Sequence, residues 1–61
     1  MDAYITTYRA LGGWKAVEMS WNKEGFYEPY QTGVGTYKTQ KEAVKEAKML
    51  AQSEGLKYKE G

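Results

Sequence analysis

The stretch that most constrains this 61-residue chain runs from Thr39 to Gly55, where a full set of helix signals surrounds a face made largely of alanine. Apolar residues fall at Ala43, Val44, Ala47, Leu50 and Ala51, the spacing that lines one side of a 3.6-residue repeat. Thr39 stands at the N-cap, and Glu42 completes a Thr-x-x-Glu capping box, in which each side chain satisfies a backbone N–H that the first turn leaves unpaired. Gly55 follows the last turn and suits the left-handed backbone that ends many helices. The spacing predicts a helix over 40–54. Alanine keeps neighbours at short range, so this helix should lie close against a sheet.

The residues before it read as strands. Tyr4 to Arg9 is rich in β-branched and aromatic side chains, which favour a pleated, half-buried surface. Gly12-Gly13 marks a turn. Trp14 to Trp21 then alternates, with Val17, Met19 and Trp21 on one face and Trp14, Ala16, Glu18 and Ser20 on the other. The expectation is that Val17, Met19 and Trp21 fill the core under the helix, so that Trp14 faces outward. Asn22 to Gly25 makes the next turn. A third segment runs from Phe26 to about Tyr37, where Pro29 favours an edge strand or a bulge because it has no N–H to donate. Gly33 and Gly35 flank Val34 and suggest a bulge or a close backbone approach to the helix. Leu56-Lys57-Tyr58 can add a short terminal strand. The predicted fold is α+β, a single small domain over 1–61. It is a three-stranded antiparallel β-meander with one C-terminal amphipathic helix packed on one face, in the order β-β-β-α.

Composition narrows the chemistry. A domain of this length buries only about 60% of the surface its unfolded chain exposes, which leaves little depth for a catalytic pocket. Cysteine and histidine are absent, so the usual zinc, haem and iron–sulfur ligands, disulfides and Ser–His or Cys–His pairs are missing too. Glu18, Glu24, Glu28, Glu42 and Glu46 show no spacing that demands convergence. Gly33-Val34-Gly35 is not a phosphate-binding loop, and no calcium-loop pattern of alternating acids occurs. The chain is therefore expected to be no enzyme and to use no cofactor, metal or small-molecule substrate. Met1-Asp2-Ala3-Tyr4 has neither the basic nor the apolar region of a signal peptide, and no apolar run nears the roughly 18 residues of a membrane span. The expected location is cytoplasmic, with no membrane partner.

Three resemblances follow from these residues. The Trp-containing hairpin followed by Thr39-x-x-Glu42-Ala43, Ala47, Leu50, Ala51 and Gly55 resembles small bacterial and phage domains of unknown function, and this covers most of the chain. Gly33-Val34-Gly35 followed by Lys38, Lys41 and Lys45 is similar to the C-terminal half of the double-stranded-RNA-binding domain, which implies phosphate contacts by those lysines. Tyr8-Arg9, Trp14 to Glu18, and Gly35-Thr36-Tyr37 before the helix resemble the three-stranded-sheet DNA binders of the AP2 and integrase arm-binding type. That resemblance implies DNA contact through the sheet.

Two surfaces are candidates for function. The nine aromatics, six Tyr, two Trp and one Phe, form 15% of the chain. A cluster of Tyr4, Tyr8, Trp14 and one of Tyr27 or Tyr30 would give an amphipathic patch of the residue types that dominate interface cores. The same rings could instead cover the second face of the sheet, or stack bases. The other candidate is basic. Residues 1–34 carry three basic and four acidic groups, a net of −1, whereas 35–61 carry six and four, a net of +2. Lys38, Lys41 and Lys45, with Arg9, could form a phosphate-contacting edge at the helix N-terminus, or simply a solvated mixed-sign face with Glu42 and Glu46. The leading expectation is a non-catalytic module that binds a protein partner or itself through an aromatic sheet face. Its size suits a phage-encoded or accessory inhibitor that occupies a partner's surface. The alternative is nucleic-acid binding by the helix lysines and the sheet.

Overall fold

The β-branched and aromatic run near the N-terminus forms strand β1 (Tyr4–Ala10), and the alternating run after the glycine turn forms β2 (Gly13–Trp21). They pair antiparallel from Tyr4 opposite Met19 to Ala10 opposite Gly13. Strand β3 (Tyr27–Thr32) pairs antiparallel with the other side of β2. Helix α1 (Gln40–Glu54) follows, and β4 (Lys57–Tyr58) closes the order. The computed structural model describes residues 2–60.

The C-terminal end of the helix is built as its residues predict, and the N-cap forms at Thr39 with half of the expected capping box. Thr39 is extended, at φ −123° and ψ 152°, and its hydroxyl accepts the Glu42 N–H at 3.4 Å. Glu42 does not reach back to the backbone; its Oε1 accepts from the Thr39 hydroxyl at 3.0 Å, closing the cap through the side chains. At the far end Gly55 is left-handed, with φ +69°. The Leu56 N–H reaches the Ala51 carbonyl at 2.9 Å and the Gly55 N–H reaches that of Gln52 at 3.4 Å, the paired bonds of a Schellman turn. That turn sends the chain back beside β1, where Lys57 lies opposite Tyr4 and Tyr58 opposite Ile5, in parallel. The terminal strand therefore forms. The sheet is mixed and four-stranded, ordered β3-β2-β1-β4, rather than a purely antiparallel meander of three. The added strand pairs backbone groups that would otherwise line a bare edge of β1.

Ala43, Ala47 and Ala51 are all buried on the inner side of the helix. Ala47 and Ala51 meet Ile5 and Ala16, with Leu50, Leu56 and Tyr58 packed around them. Ile5 lies opposite Glu18 and Thr7 opposite Ala16, so the covered face of β2 is that of Trp14, Ala16, Glu18 and Ser20. This corrects the expected parity, which placed Val17, Met19 and Trp21 under the helix. An alanine-lined helix needs a low surface to approach, and Ala16 provides it; Met19 and Trp21 would hold the two layers apart.

The third segment is shorter than expected, and its glycines and bulge separate. Glu18 lies opposite Gln31 but Met19 opposite Pro29, which makes Tyr30 the extra residue of a bulge. Beyond β3 the chain stays beside β2. Gly33 donates to the Ala16 carbonyl at 2.9 Å, and Trp14 and Tyr37 exchange backbone bonds of 2.7 and 2.9 Å. Gly33 makes the close approach to the helix, against the Glu46 carboxylate. Gly13 is fixed by the Trp14–Tyr37 bridge, since a Cβ there would run into the Tyr37 carbonyl oxygen.

Two stability outcomes follow. Ala47 has no exposed surface, so Ala47→Leu should cost about 1–3 kcal/mol by overpacking, read as a lowered midpoint in chemical denaturation. The Tyr58 hydroxyl is buried with no hydrogen-bond partner among the described residues. Burial first, and Glu60 second, raise its pKa above the ordinary 10.0. The fold thus favours the neutral phenol, and this contribution is complete below pH 10 and lost as pH climbs through the raised folded value. Tyr58→Phe should be neutral or stabilising at pH 7 and should flatten the fall in stability above about pH 10. Denaturation curves at pH 7 and 11 for both proteins measure this.

Candidate functional site

Because α1 covers one side of the sheet, the opposite parity is left uncovered. Tyr4, Thr6 and Tyr8 come to it from β1, and their cross-strand partners Met19, Val17 and Lys15 from β2. Trp21 and its partner Tyr27 continue it toward β3. Three rings associate edge to face: Tyr4 and Tyr27 have centroids 4.7 Å apart at 76°, and Trp21 and Tyr27 4.9 Å apart at 80°. Such geometry sets the positive ring edge against the negative face and is worth about 0.5–1.5 kcal/mol per pair beyond burial. The Tyr27 hydroxyl donates to the Asp2 carbonyl at 2.9 Å, which fixes the hub of the cluster.

Beside the rings lies a depression of about 320 Å³ lined by Tyr4, Thr6, Tyr8, Val17, Met19 and Pro29. Val17 lies almost fully buried in it, 2% exposed, whereas Tyr8 and Trp21 are each 38% exposed. Lysines frame this face. The Lys59 ammonium sits 4.7 Å over the Tyr4 ring and 6.0 Å from that of Tyr27, within cation–π range. Lys57 lies at the register position beside Tyr4. Lys15 is occupied, donating to the Gly35 carbonyl at 3.4 Å and the Thr36 hydroxyl at 3.3 Å. The strand carboxylates fall on the other parity: Glu18 is opposite Ile5 and Glu28 opposite Ser20.

Of the residues singled out from the sequence, Tyr4, Tyr8 and Tyr27 share this open face. Trp14 does not join them. It is on the helix side, partly buried, with the Arg9 guanidinium 5.7 Å over its ring. Trp21 stands where Trp14 was expected, and the signal for it was the small Ala16 facing an alanine helix. Tyr30, the bulge residue, is 70% exposed and outside the ring cluster. Lys41 and Lys45 are exposed on α1, Lys38 is exposed in the loop just before it, and Arg9 lies on the helix-side register opposite Trp14. The aromatic and basic sets therefore occupy opposite layers.

Both sheet edges are unsuited to pairing with a further strand. Strand β3 carries Pro29 and the bulge, and β4 has two residues. Among the described residues no group of three or more acidic, His or Cys side chains could hold a metal, and no helix is long and apolar enough to cross a membrane. No protein-family model, curated protein or solved structure matches the chain.

The placement of the two tryptophans has a direct optical test. In Trp14→Phe, where Trp21 is the sole indole, acrylamide should quench emission more strongly than in Trp21→Phe, where Trp14 remains. Equal quenching, or the reverse order, would contradict this placement.

Proposed function

We propose that this chain is a non-catalytic interaction module that binds a protein partner through the open aromatic face of its sheet. One observation carries the reading: the single helix covers only one side, and the other presents Tyr4, Tyr8, Trp21 and Tyr27 around an apolar depression. Tyr, Trp and Met are the types enriched at the cores of interfaces, and a contiguous apolar patch on a small domain marks an interaction surface. The rings are already locked by mutual contacts, so binding would order few side chains, which favours affinity.

A partner of different sequence suits the face better than a second copy. Face-to-face pairing of two identical sheets would bring Lys57 and Lys59 of both copies to one interface, where each pair of lysines has Asp2 as its neighbouring carboxylate. Like charges brought together in this way oppose association. Nucleic-acid binding by the helix lysines together with the sheet would need Lys38, Lys41 and Lys45 to act with a face that lies in the opposite layer.

Affinity capture from a lysate treated with nuclease tests the reading, with folding of each variant checked by circular dichroism. Tyr8→Ala and Trp21→Ala should each lower retention of the partner by about 30-fold or more, the effect of a 2 kcal/mol hot spot. The triple change of Lys38, Lys41 and Lys45 to Gln should leave retention unchanged. Capture that is lost with nuclease, or that survives both aromatic variants, would defeat the reading.

A further inference from the structure

We infer that the ligand of the open face is an acidic polypeptide segment that seats one apolar side chain in the depression between Tyr8, Val17, Met19 and Pro29. This rests on the reading of that face as the working surface, and it specifies the chemistry of the partner. Charge is the first reason. Lys57 and Lys59 border the face with Asp2 beside them, two cations to one carboxylate, while Glu18 and Glu28 fall on the helix-side parity. A carboxylate-bearing ligand therefore meets attraction there, and a basic one meets repulsion.

Shape is the second reason. The depression, about 320 Å³, is lined by side chains that are aliphatic or aromatic apart from the Thr6 hydroxyl. It offers apolar contact to one leucine-sized or phenylalanine-sized group, with the lysines outside it.

The same geometry disfavours a nucleic-acid strand. Stacking of successive bases needs exposed ring faces, but Tyr4, Tyr27 and Trp21 stand edge to face at 76° and 80°, and the Lys59 ammonium lies over the Tyr4 ring. Lys15 is already bonded to the 35–36 loop, which leaves few cations to track a phosphate backbone. The guarded edges exclude strand addition as the mode of capture, so the segment must lie across the face.

Titration of the ¹⁵N-labelled full chain, followed by two-dimensional NMR, tests this. The probe is a short synthetic peptide of Glu and Asp around one central Leu. Its comparators are the same peptide with Gly for Leu, a Lys-for-acid version, and single-stranded oligo-dT. The expected result is amide shifts centred on Thr6, Tyr8, Val17 and Met19, with binding weakened about threefold or more between 50 and 200 mM salt. Removing the central Leu or changing Lys57 and Lys59 to Gln should each weaken binding by about tenfold; both lysines are exposed, and an undisturbed spectrum verifies the variant fold.

Equal binding of the basic peptide, shifts confined to the helix, or no shifts at millimolar peptide would overturn the inference. Oligo-dT shifting the same amides while the acidic peptide does not would also overturn it, yet leave the face as the working surface. Failure of that broader reading shows separately, as capture that survives Tyr8→Ala and Trp21→Ala.

Discussion

Everything in this small fold depends on how closely α1 can approach the sheet. Ala43, Ala47 and Ala51 give the helix a flat side, and Ala16 with Ile5 gives the sheet a low one. Their contact buries the cluster of Ile5, Ala16, Ala47 and Ala51 that forms the core of this short chain. It also decides which parity of β1 and β2 faces inward. Once Ala16 is under the helix, strand alternation puts Val17, Met19 and Trp21 on the far side with Tyr4 and Tyr8. The uncovered aromatic face is thus a geometric consequence of an alanine helix, reached by the same contact that stabilises the fold.

That consequence explains how charge and ring chemistry are distributed. Strand residues alternate, so a one-residue offset separates Glu18 from Met19 and Lys57 from Tyr58. The strand carboxylates Glu18 and Glu28 share the helix's side of the sheet, and Lys15, Lys57 and Lys59 share the aromatic side. Tyr58 goes inward with Ile5, where its buried hydroxyl has no hydrogen-bond partner among the described residues. Lys59 goes outward, over Tyr4. The Schellman turn at Gly55 fixes this division, because it sets the register in which β4 meets β1.

The helix was legible in the sequence almost to the residue, because capping and the alanine stripe are local signals that tertiary contacts did not override. Although β3 ends at Thr32, well short of the expected Tyr37, the positions of β1, β2 and the short strand after Gly55 were legible from local signals too. Facing was not. The larger side chains of β2 invite placement in the core on hydrophobicity alone, and only the volume match between Ala16 and the helix reverses that choice. Trp14 and Trp21 exchanged roles on this point. The bulge at Tyr30 was also hidden: Pro29 signalled an irregular edge strand, but the register that selects Tyr30 depends on pairing with β2.

The edge-to-face network around Tyr27 makes the open face more than residual surface. Tyr27 bonds to the Asp2 carbonyl, contacts two rings, and lies beside the Lys59 ammonium. These contacts join the N-terminal end of β1, the start of β3 and the chain after β4, three segments far apart in sequence. In a domain with so thin a core, each edge-to-face pair is a meaningful share of a net stability of only several kcal/mol. The rings therefore hold the sheet together from the side the helix does not reach. On the proposed reading of this face, the cost of ordering these rings is met in folding rather than in binding. If the face is the working surface proposed above, stability and recognition meet at Tyr27. Tyr8 and Trp21, more exposed and less enclosed by that network, are where the two can be separated.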